Sequence, residues 1–184
     1  MTKIVKGSIS DVANIKGESI ATSLMNAKIL VLLDVSGSML APDAKDGLKR
    51  CEVATNELIE IQRDNPGEVF LVCFSDYVEP CIGGYPVHPN GSTDLTLALN
   101  YSEITNGTDF KIVVISDGSP NNPQSALNAA KSLTCPIYTI HIGPESDHKG
   151  KEFLKRLSSS NGGRNLKSGG VGSLKSGVTF LLTG

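Results

Sequence analysis

The sequence predicts an α/β fold with a doubly wound, mostly parallel six-stranded sheet, one antiparallel edge strand and helices on both faces. Two observations carry this prediction. Strand and helix patterns alternate after residue 28, and most strand patterns are nearly continuous apolar runs rich in β-branched residues. Such runs are typical of parallel strands that helices cover on both faces, because every side chain of the strand is then buried.

Six segments are expected to form the sheet. A weak extended segment, 77–82, follows 69–75 so closely that the two must pair as an antiparallel hairpin, because a parallel crossover needs about a dozen residues or more. The other strands are connected through helical patterns and are expected to be parallel. The strand candidates are 29–34, 69–75, 77–82, 110–116, 136–142 and 164–167.

Helical patterns occupy the intervals between the strands. Apolar residues recur at helical spacing from Leu48 to Ile61, and the sequence Asn-Pro-Gly at 65–67 ends that helix. Asn122 followed by Pro123 is typical of an N-cap and a first helical position. The expected helices are 44–64, 93–104, 122–134, 149–160 and 171–182.

Residues 1–27 are expected to form an N-terminal extension of a domain that covers 28–184. Their apolar residues form a broken amphipathic stripe, which either packs back on the sheet or serves as an arm that binds a partner. The segment lacks the continuous apolar region of a secretory signal. Near the other end of the chain, the glycine-rich stretch 168–173 is expected to form a loop. The stripe consists of Val12, Ile15, Ile20 and Leu24.

The composition is typical of a single globular domain that does not bind nucleic acid. The chain has 184 residues, 39% of them hydrophobic and 20% charged, which suits one domain with a substantial core. Its formal net charge is −2 and it has no basic cluster, so we expect no nucleic-acid partner. Its longest apolar runs are far too short to span a bilayer, so we expect no membrane partner.

The four cysteines predict a reducing, cytoplasmic environment. They form no CxxC pair, so neither a zinc site nor a redox motif is indicated. Cys73 falls within an apolar strand and Cys51 on the apolar side of a helix, as expected for buried free thiols. A Cys73–Cys81 bridge across the hairpin is the alternative.

Oxygen-bearing side chains end two of the expected strands and precede a helix. Asp34 ends the first apolar run and is followed at alternate positions by Ser36 and Ser38. Thr93 lies in the sequence Gly-Ser-Thr-Asp-Leu before a helix, and Asp117 ends the strand in Lys-Ile-Val-Val-Ile-Ser-Asp-Gly. Ligands of open α/β sheets bind beyond the carboxyl ends of the strands. Carboxylate and hydroxyl oxygens suit a hard divalent cation such as Mg²⁺ or Mn²⁺.

These residues, in this order, resemble the metal-ion-dependent adhesion site of von Willebrand factor A domains, which have a Rossmann-like fold. The resemblance implies that Ser36, Ser38 and, in the binding-competent state, Thr93 bind the cation directly. Asp34 and Asp117 would hold metal-bound waters or exchange between direct and water-mediated contact.

The resemblance covers about residues 28–182 and also implies a function. Such a module is a metal-dependent adaptor and not an enzyme, and an Asp or Glu of a partner protein completes the coordination of its Mg²⁺ or Mn²⁺. Intracellular proteins of this kind often work in multiprotein assemblies, including ones with AAA+ ATPases. The resemblance further implies that strands 29–34 and 110–116 are neighbours, so that the two carboxylates flank one crevice.

Each of the motifs also has a purely structural explanation. Ser36 and Ser38 suit a turn after a strand, Thr93 suits a helix N-cap, and Asp117 suits the start of a turn. A structural α/β module whose site holds no metal is therefore an alternative to the metal-binding module.

The main functional alternative is a metal-dependent hydrolase or phosphatase that uses the same site. Aspartyl-phosphate phosphatases carry a second acid two residues after the nucleophile, where this chain has Ser36. The chain also lacks the GxSxG turn of serine hydrolases and the GxxxxGK[ST] loop of nucleotide hydrolases. Asp43, Asp76 and Asp94 are weaker candidates for the rim of the site.

Overall fold

The computed structural model of the protein describes residues 3–166 and 173–183 and contains the six expected strands. These are Ile29–Asp34 (β1), Val69–Phe74 (β2), Val78–Pro80 (β3), Lys111–Ser116 (β4), Ile137–His141 (β5) and Asn165–Leu166 (β6). Their order in the sheet is β3-β2-β1-β4-β5-β6. β3 is antiparallel to β2 at one edge and all other neighbours are parallel, which confirms the predicted sheet.

β1 lies inside the sheet, between β2 and β4. Ile29 is in register with Val69 of β2 and with Lys111 of β4. The chain leaves β1 for β2 on one side and later returns through β4 on the other side, so the strand order reverses there. The predicted pairing of β1 with β4 is confirmed. It places the ligand-binding crevice of an open α/β sheet at the carboxyl ends of these two strands.

The helices fall in the predicted intervals of the chain. Short 3₁₀ turns cover Gly37–Leu40, Lys45–Gly47 and Ser102–Thr105. None of the helices in the described part of the chain is long and apolar enough to cross a membrane. The α-helices are Ile9–Lys16 (α1), Ile20–Leu24 (α2), Arg50–Asp64 (α3), Leu95–Tyr101 (α4), Pro123–Ala130 (α5), His148–Ser159 (α6) and Ser173–Thr183 (α7).

α3 begins later than the periodicity suggests. The pattern predicts a helix from residue 44, but the α-helix begins at Arg50. Asp46 and Gly47 have φ angles of 63° and 73°, which a right-handed α-helix cannot contain. The six residues before α3 therefore form a loop with a 3₁₀ turn at the carboxyl edge of the sheet.

α4 begins at Leu95, two residues later than predicted. Its N-cap is Asp94, whose Oδ1 accepts the Leu97 N–H at 3.0 Å. The structural explanation of Thr93 as an N-cap is therefore wrong. Asp94 is engaged in capping, which accounts for an acid at this position without a role in a site.

α5 begins where the sequence pattern predicts but ends at Ala130, four residues before the predicted end, and α7 agrees with its pattern as far as the structure describes it. Asn122 caps α5, and its Oδ1 accepts the Ser125 N–H at 3.0 Å. α7 runs from Ser173 to Thr183. Most of the loop expected at 168–173 lies outside the described residues.

Helices cover both faces of the sheet, as predicted. Leu30 and Leu32 of β1 belong to the apolar core beneath α4, α5 and α6, whereas Val31 and Leu33 belong to the core beneath α3 and α7. All four side chains are at most 1% exposed. The unbroken apolar run of β1 follows from this burial on both faces.

The first N-terminal helix packs on the sheet. Ile9 of α1 is 2% exposed and belongs to the same apolar core as Leu30. α1 ends at Lys16, and its C-cap is Gly17 with a φ of 64°. Ile15 does not face the core and is 75% exposed. A domain boundary between residues 27 and 28 stays a prediction.

All four cysteines are free thiols. Cys73 and Cys81 are buried on the β2–β3 hairpin with their Sγ atoms 3.3 Å apart and hydrogen-bonded, but not bridged. Cys135 is buried and Cys51 is half-buried.

Candidate metal centre

The carboxylate of Asp34 is buried at the carboxyl end of β1. Its Oδ1 accepts the Ser36 N–H at 2.8 Å, and its Oδ2 accepts the Ser116 hydroxyl at 2.6 Å. Asp34 is 0% exposed, and this burial raises its pKa, although the bonds from Ser116 and Ser36 act in the opposite direction. The nearby charge of Asp117 adds to the increase. A cation at this point would offset the electrostatic cost of ionising Asp34.

Two hydroxyls follow Asp34, one just before a 3₁₀ turn and one within it. Ser36 precedes the turn but makes no side-chain capping bond to it, and its Oγ lies 3.0 Å from Oγ of Ser38. Ser36 is 2% exposed, whereas Ser38 is exposed to solvent. The turn expected from a structural explanation is present, but the Ser36 hydroxyl does not hold it. The pair instead presents two adjacent neutral oxygens beside the carboxylate.

Thr93 is held in place through its backbone. Its N–H donates to Oδ1 of Asn121 at 3.1 Å, and its carbonyl accepts the Asn121 N–H at 2.8 Å. Thr93 is 6% exposed, and its hydroxyl makes no hydrogen bond to another described residue. The hydroxyl is not among the fully buried polar atoms that lack a hydrogen-bond partner, so it reaches solvent and is available as a ligand.

Asp76, just after β2, holds the loop that carries Thr93. Its carboxylate accepts the Ser92 N–H at 3.0 Å and also the Ser92 hydroxyl. These two bonds, the hydroxyl first, lower the pKa of Asp76. Gly91 has a φ of 73°, and a Cβ there would overlap with the Asp76 carboxylate, so the loop requires glycine at this point.

Asp117 forms an ion pair with Arg50. Nη1 of Arg50 lies 2.9 Å from Oδ2 of Asp117, and the same guanidinium binds both carboxylate oxygens of Asp43 at 2.6 and 2.7 Å. The side chains of Arg50 and Asp117 are 12% and 6% exposed. The turn expected after Asp117 is also present, because its Oδ1 accepts the Ser119 N–H at 3.2 Å. One carboxylate oxygen of Asp117 thus binds the Arg50 guanidinium, and the other accepts a backbone N–H.

Hydrogen bonds bring the three segments to one edge of the sheet. The Gly37 N–H donates to the Gly91 carbonyl at 3.0 Å and so joins the turn after β1 to the loop before α4. Asn121 joins that loop to the loop after β4, and Ser116 joins β4 directly to Asp34. The five residues singled out in the sequence therefore lie at the same edge. They are connected through these neighbours, and no hydrogen bond among the described residues joins two of the five side chains from different segments directly.

The donor set suits a hard divalent cation. Among the described residues, no cluster of three or more His, Cys, Asp or Glu side chains could hold a metal ion. The candidate site is of a different kind, because only two of its five side chains are carboxylates and three are hydroxyls. These are the oxygen ligands that Mg²⁺ and Mn²⁺ accept. The raised pKa of Asp34 and the partnerless hydroxyl of Thr93 both fit a cation between them.

Sequence patterns missed several residues that shape this site. Ser116 is visible as a polar residue at the end of an apolar strand, and its position beside Asp117 could have identified it. Asn121 has no such signal, since its neighbour Asn122 is the helix cap. Arg50 lies 67 positions from Asp117 at the start of a different helix, so only the folded chain brings them together.

Comparisons with known proteins identify the fold. No family model matches the sequence, and no curated protein matches it. The structure is similar to the manganese-loaded TRAP protein of Plasmodium vivax, with a TM-score of 0.61, 18% identity, and coverage of 85% of this chain and 74% of that one. It is also similar to a von Willebrand factor type A structure from Catenulispora acidiphila, with a TM-score of 0.63, 14% identity, and coverage of 86% and 42%.

This chain has a von Willebrand factor A fold. The D319A mutant of the PilB minor pilin from Streptococcus sanguinis is similar to it as well, with a TM-score of 0.61, 13% identity, and coverage of 84% of this chain and 59% of the pilin. The chain thus spans less than two thirds of two of these three structures. At such low identities the likeness concerns the fold, and the chemistry of the site has to be argued from the residues themselves.

Proposed function

We propose that this protein is a non-enzymatic, metal-dependent protein-binding module. Mg²⁺ or Mn²⁺ would be held by Ser36, Ser38 and Thr93, with Asp34 and Asp117 bound to it directly or through water. The observation that carries the proposal is the buried carboxylate of Asp34 at the reversal of strand order. One of its oxygens accepts a backbone N–H and the other a hydroxyl, and it has no cationic partner among the described residues.

The ligand set leaves a role for a partner's carboxylate. Hydroxyl ligands are neutral, and Arg50 already balances part of the charge of Asp117. A divalent ion at this edge would therefore keep uncompensated positive charge. Mg²⁺ and Mn²⁺ retain exchangeable waters in such sites, so an Asp or Glu of a partner protein can replace one water and supply the missing negative charge.

The same residues give little support to hydrolysis. His141 ends β5 near the site, but it is 2% exposed and its Nε2 lies 3.0 Å from Oδ2 of Asp147. A general base has to come within hydrogen-bond distance of the water or group that it deprotonates. A side chain buried in this way cannot meet an incoming substrate, so no specific observation favours the hydrolase or phosphatase alternative.

The setting of the module is part of the proposal. The partner would be a protein with an accessible Asp or Glu, and an assembly that contains an AAA+ ATPase is one such setting. A reducing, cytoplasmic location is supported by the adjacent but unbridged thiols of Cys73 and Cys81.

Thermal unfolding in EDTA, Mg²⁺, Mn²⁺ and Ca²⁺ tests the metal site. A ligand that binds only the folded state at 100 times its Kd adds about 2.7 kcal/mol, which raises the Tm of a domain of this size by about 5–10 °C. We expect this shift with Mg²⁺ or Mn²⁺ in the wild type and none in Asp34→Ala. Asp34→Asn keeps the side-chain volume and should also lose the shift.

The binding function requires a second measurement. Immobilised wild-type protein should capture acidic peptides in Mn²⁺ and release them in EDTA, whereas Asp34→Asn should capture none. Capture that persists in EDTA, or in the folded Asp34→Asn variant, would show that the partner does not bind through a metal. Turnover of generic phosphate or carboxylic esters by the metal-loaded protein would favour the enzymatic alternative.

A further inference from the structure

A cleft of about 500 Å³ lies directly beside the candidate metal centre. Its floor is formed by the end of β1, where Leu33 and Val35 are each 1% exposed. One wall is the start of α3, with Leu48, Cys51 and Thr55, and the opposite wall is the extended segment 85–89. A volume of this size lies within the range of about 300–1,000 Å³ that is usual for ligand pockets.

The cleft and the metal centre share the same chain segments. Val35 and Leu40, which line the cleft, flank the turn that carries Ser36 and Ser38. Segment 85–89 continues through Gly91 to Thr93. The bond from the Asn90 N–H to the Val35 carbonyl, 2.8 Å long, holds the two segments together. A peptide that places a carboxylate at the metal therefore passes the mouth of the cleft within a few residues.

The mouth of the cleft is apolar with a positive rim. Leu48 and Tyr85 are 39% and 37% exposed, which is high for large apolar side chains. The ammonium of Lys3 lies 4.1 Å from the centre of the Tyr85 ring, and neither Lys3 nor Lys49 forms an ion pair with another described residue. Glu52 also lines the cleft, and its carboxylate accepts the Lys49 N–H at 2.9 Å, so two lysines stand against one carboxylate at this rim. This rim favours an acidic partner segment.

We propose that the cleft binds a bulky apolar side chain of the same partner segment whose Asp or Glu completes the metal coordination. The inference rests on the proposed function and narrows it, because the module would then recognise a short motif and not an isolated carboxylate. An extended peptide advances about 3.3–3.6 Å per residue, so a fixed distance between the cleft and the metal requires a fixed number of positions between the apolar residue and the acid. Aromatic side chains in such pockets commonly supply much of the binding energy.

Selection from a displayed peptide library tests the motif. The library carries one fixed Asp with randomised residues on both sides, and the full-length protein is the bait in Mn²⁺ with elution by EDTA. We expect the eluted peptides to share an aromatic or large aliphatic residue at one fixed offset from the Asp. Peptides that require the Asp and Mn²⁺ but share no apolar residue would overturn the cleft and leave the proposed function intact. A complete lack of EDTA-eluted peptides would overturn both.

Variants of the cleft provide the second test. Thr55→Trp fills the cleft from α3 and should weaken a selected peptide about tenfold or more. Thr179→Trp, at a half-buried threonine of α7 outside the cleft, is the matched control and should bind as the wild type does. Leu48→Asp adds a like charge at the mouth without disturbing the core and should also weaken the peptide. All three variants should keep the Mn²⁺-dependent Tm shift, and wild-type peptide affinity in both cleft variants would refute the proposal.

Discussion

Arg50 is the residue that most changes the electrostatics of the candidate site. Its guanidinium lies between Asp43 and Asp117, and these neighbours, Asp43 first, raise the pKa of Arg50 although burial opposes them. The arginine stays charged, so it compensates Asp117, and it would repel a divalent cation bound at the proposed site. It would act on such a cation through Asp117 and is a positioning residue in that sense.

Replacing Arg50 with Met should therefore have opposite effects on the free and the metal-bound protein. In EDTA the unfolding free energy should fall by about 2 kcal/mol, less than the roughly 3–5 kcal/mol lost when a fully buried ion pair is broken. The Kd for Mn²⁺ should fall about tenfold, or about 1.4 kcal/mol, because a repelling charge is removed. Calorimetric titration and denaturant unfolding measure the two effects.

The neighbouring exposed lysine supplies the control for this prediction. Lys49→Met removes a positive charge from the same stretch of chain without touching Asp117, and it should change neither quantity much. Equal Mn²⁺ affinity in the wild type and Arg50→Met would show that the guanidinium does not act on the metal.

Asp76 makes stability depend on pH through the loop of Thr93. Its pKa lies below the ordinary value of 3.8 in the folded protein, because the Ser92 hydroxyl and N–H stabilise the ionised form. For an acid with a depressed folded-state pKa, the stabilisation is present above the unfolded pKa and is lost as the pH falls through the folded pKa. The difference in unfolding free energy between wild type and Asp76→Ala in EDTA should shrink as the pH falls from neutral to well below 3.8.

A double-mutant cycle isolates this interaction. Ser92→Ala removes the hydroxyl but keeps the N–H, so it should remove the larger share of the pH-dependent part, and the double variant should lose no more of it than Asp76→Ala alone. A difference between wild type and Asp76→Ala that is constant over this pH range would contradict the assignment.

At the scale of elements, the sequence determines more about the strands than about the helix starts. The apolar runs located β1, β2, β4 and β5 to within about one residue, because burial on both faces leaves an unmistakable signature, whereas the short outer strands β3 and β6 lack it. α3 and α4 begin later than their patterns, since Asp46 adopts a positive φ and Asp94 caps in place of Thr93. Periodicity reports which residues face the core, and it does not report backbone angles or the choice of cap.

The candidate site shows the same division. Its five predicted residues could be assigned to one edge of the sheet because each one lies within a few residues of a strand end or a helix start in a chain whose topology is recognisable. Arg50 could not be found, and Asp76 could be named only as a candidate for the rim, because the roles of both depend on which loops meet after folding. Local sequence carries no record of such long-range pairs.

The loop of Asp117 and the start of α6 are packed backbone against backbone at Gly150. A Cβ at Gly150 would overlap with the carbonyl oxygen of Asp117 and the carboxylate of Asp147. Gly150→Ala should therefore destabilise the protein by about 1–3 kcal/mol and weaken Mn²⁺ binding, because the loop of Asp117 must move. Denaturant unfolding and metal titration of the variant measure both effects.

Gly177 provides a matched helical control. A Cβ at this position of α7 would lie 3.2 Å from Cδ1 of Leu166, the end of a side chain that can move. Gly177→Ala should leave Mn²⁺ binding unchanged. Its unfolding free energy should rise by about 1 kcal/mol at most, because alanine has a higher helix propensity than glycine. Loss of metal binding in both variants would point to a general effect on folding and not to the loop of Asp117.

For the whole molecule, the reversal of strand order predicts which backbone amides metal binding should protect from hydrogen exchange. Mn²⁺ at 100 times its Kd should slow local opening about 100-fold, equivalent to about 2.7 kcal/mol, in the three segments around Ser36, Thr93 and Asp117. Residues of α2 and the 3₁₀ turn Ser102–Thr105 lie beyond the opposite ends of the strands and should exchange at the same rate with and without metal. Hydrogen exchange with and without Mn²⁺ measures this pattern, and protection spread evenly over the chain would contradict a site at this edge.

One border of the sheet is the short strand β3, which has three residues, among them Glu79 and Pro80. A long, flat, unpaired strand is a template on which further chains assemble into aggregates, and short strands with a charge and a proline are the usual protection against it. If the protein binds a partner at one end of the sheet, as proposed, this border must not pair with other copies of the chain. The length and composition of β3 oppose such pairing, so we expect that the protein can be concentrated without forming fibrils through this border.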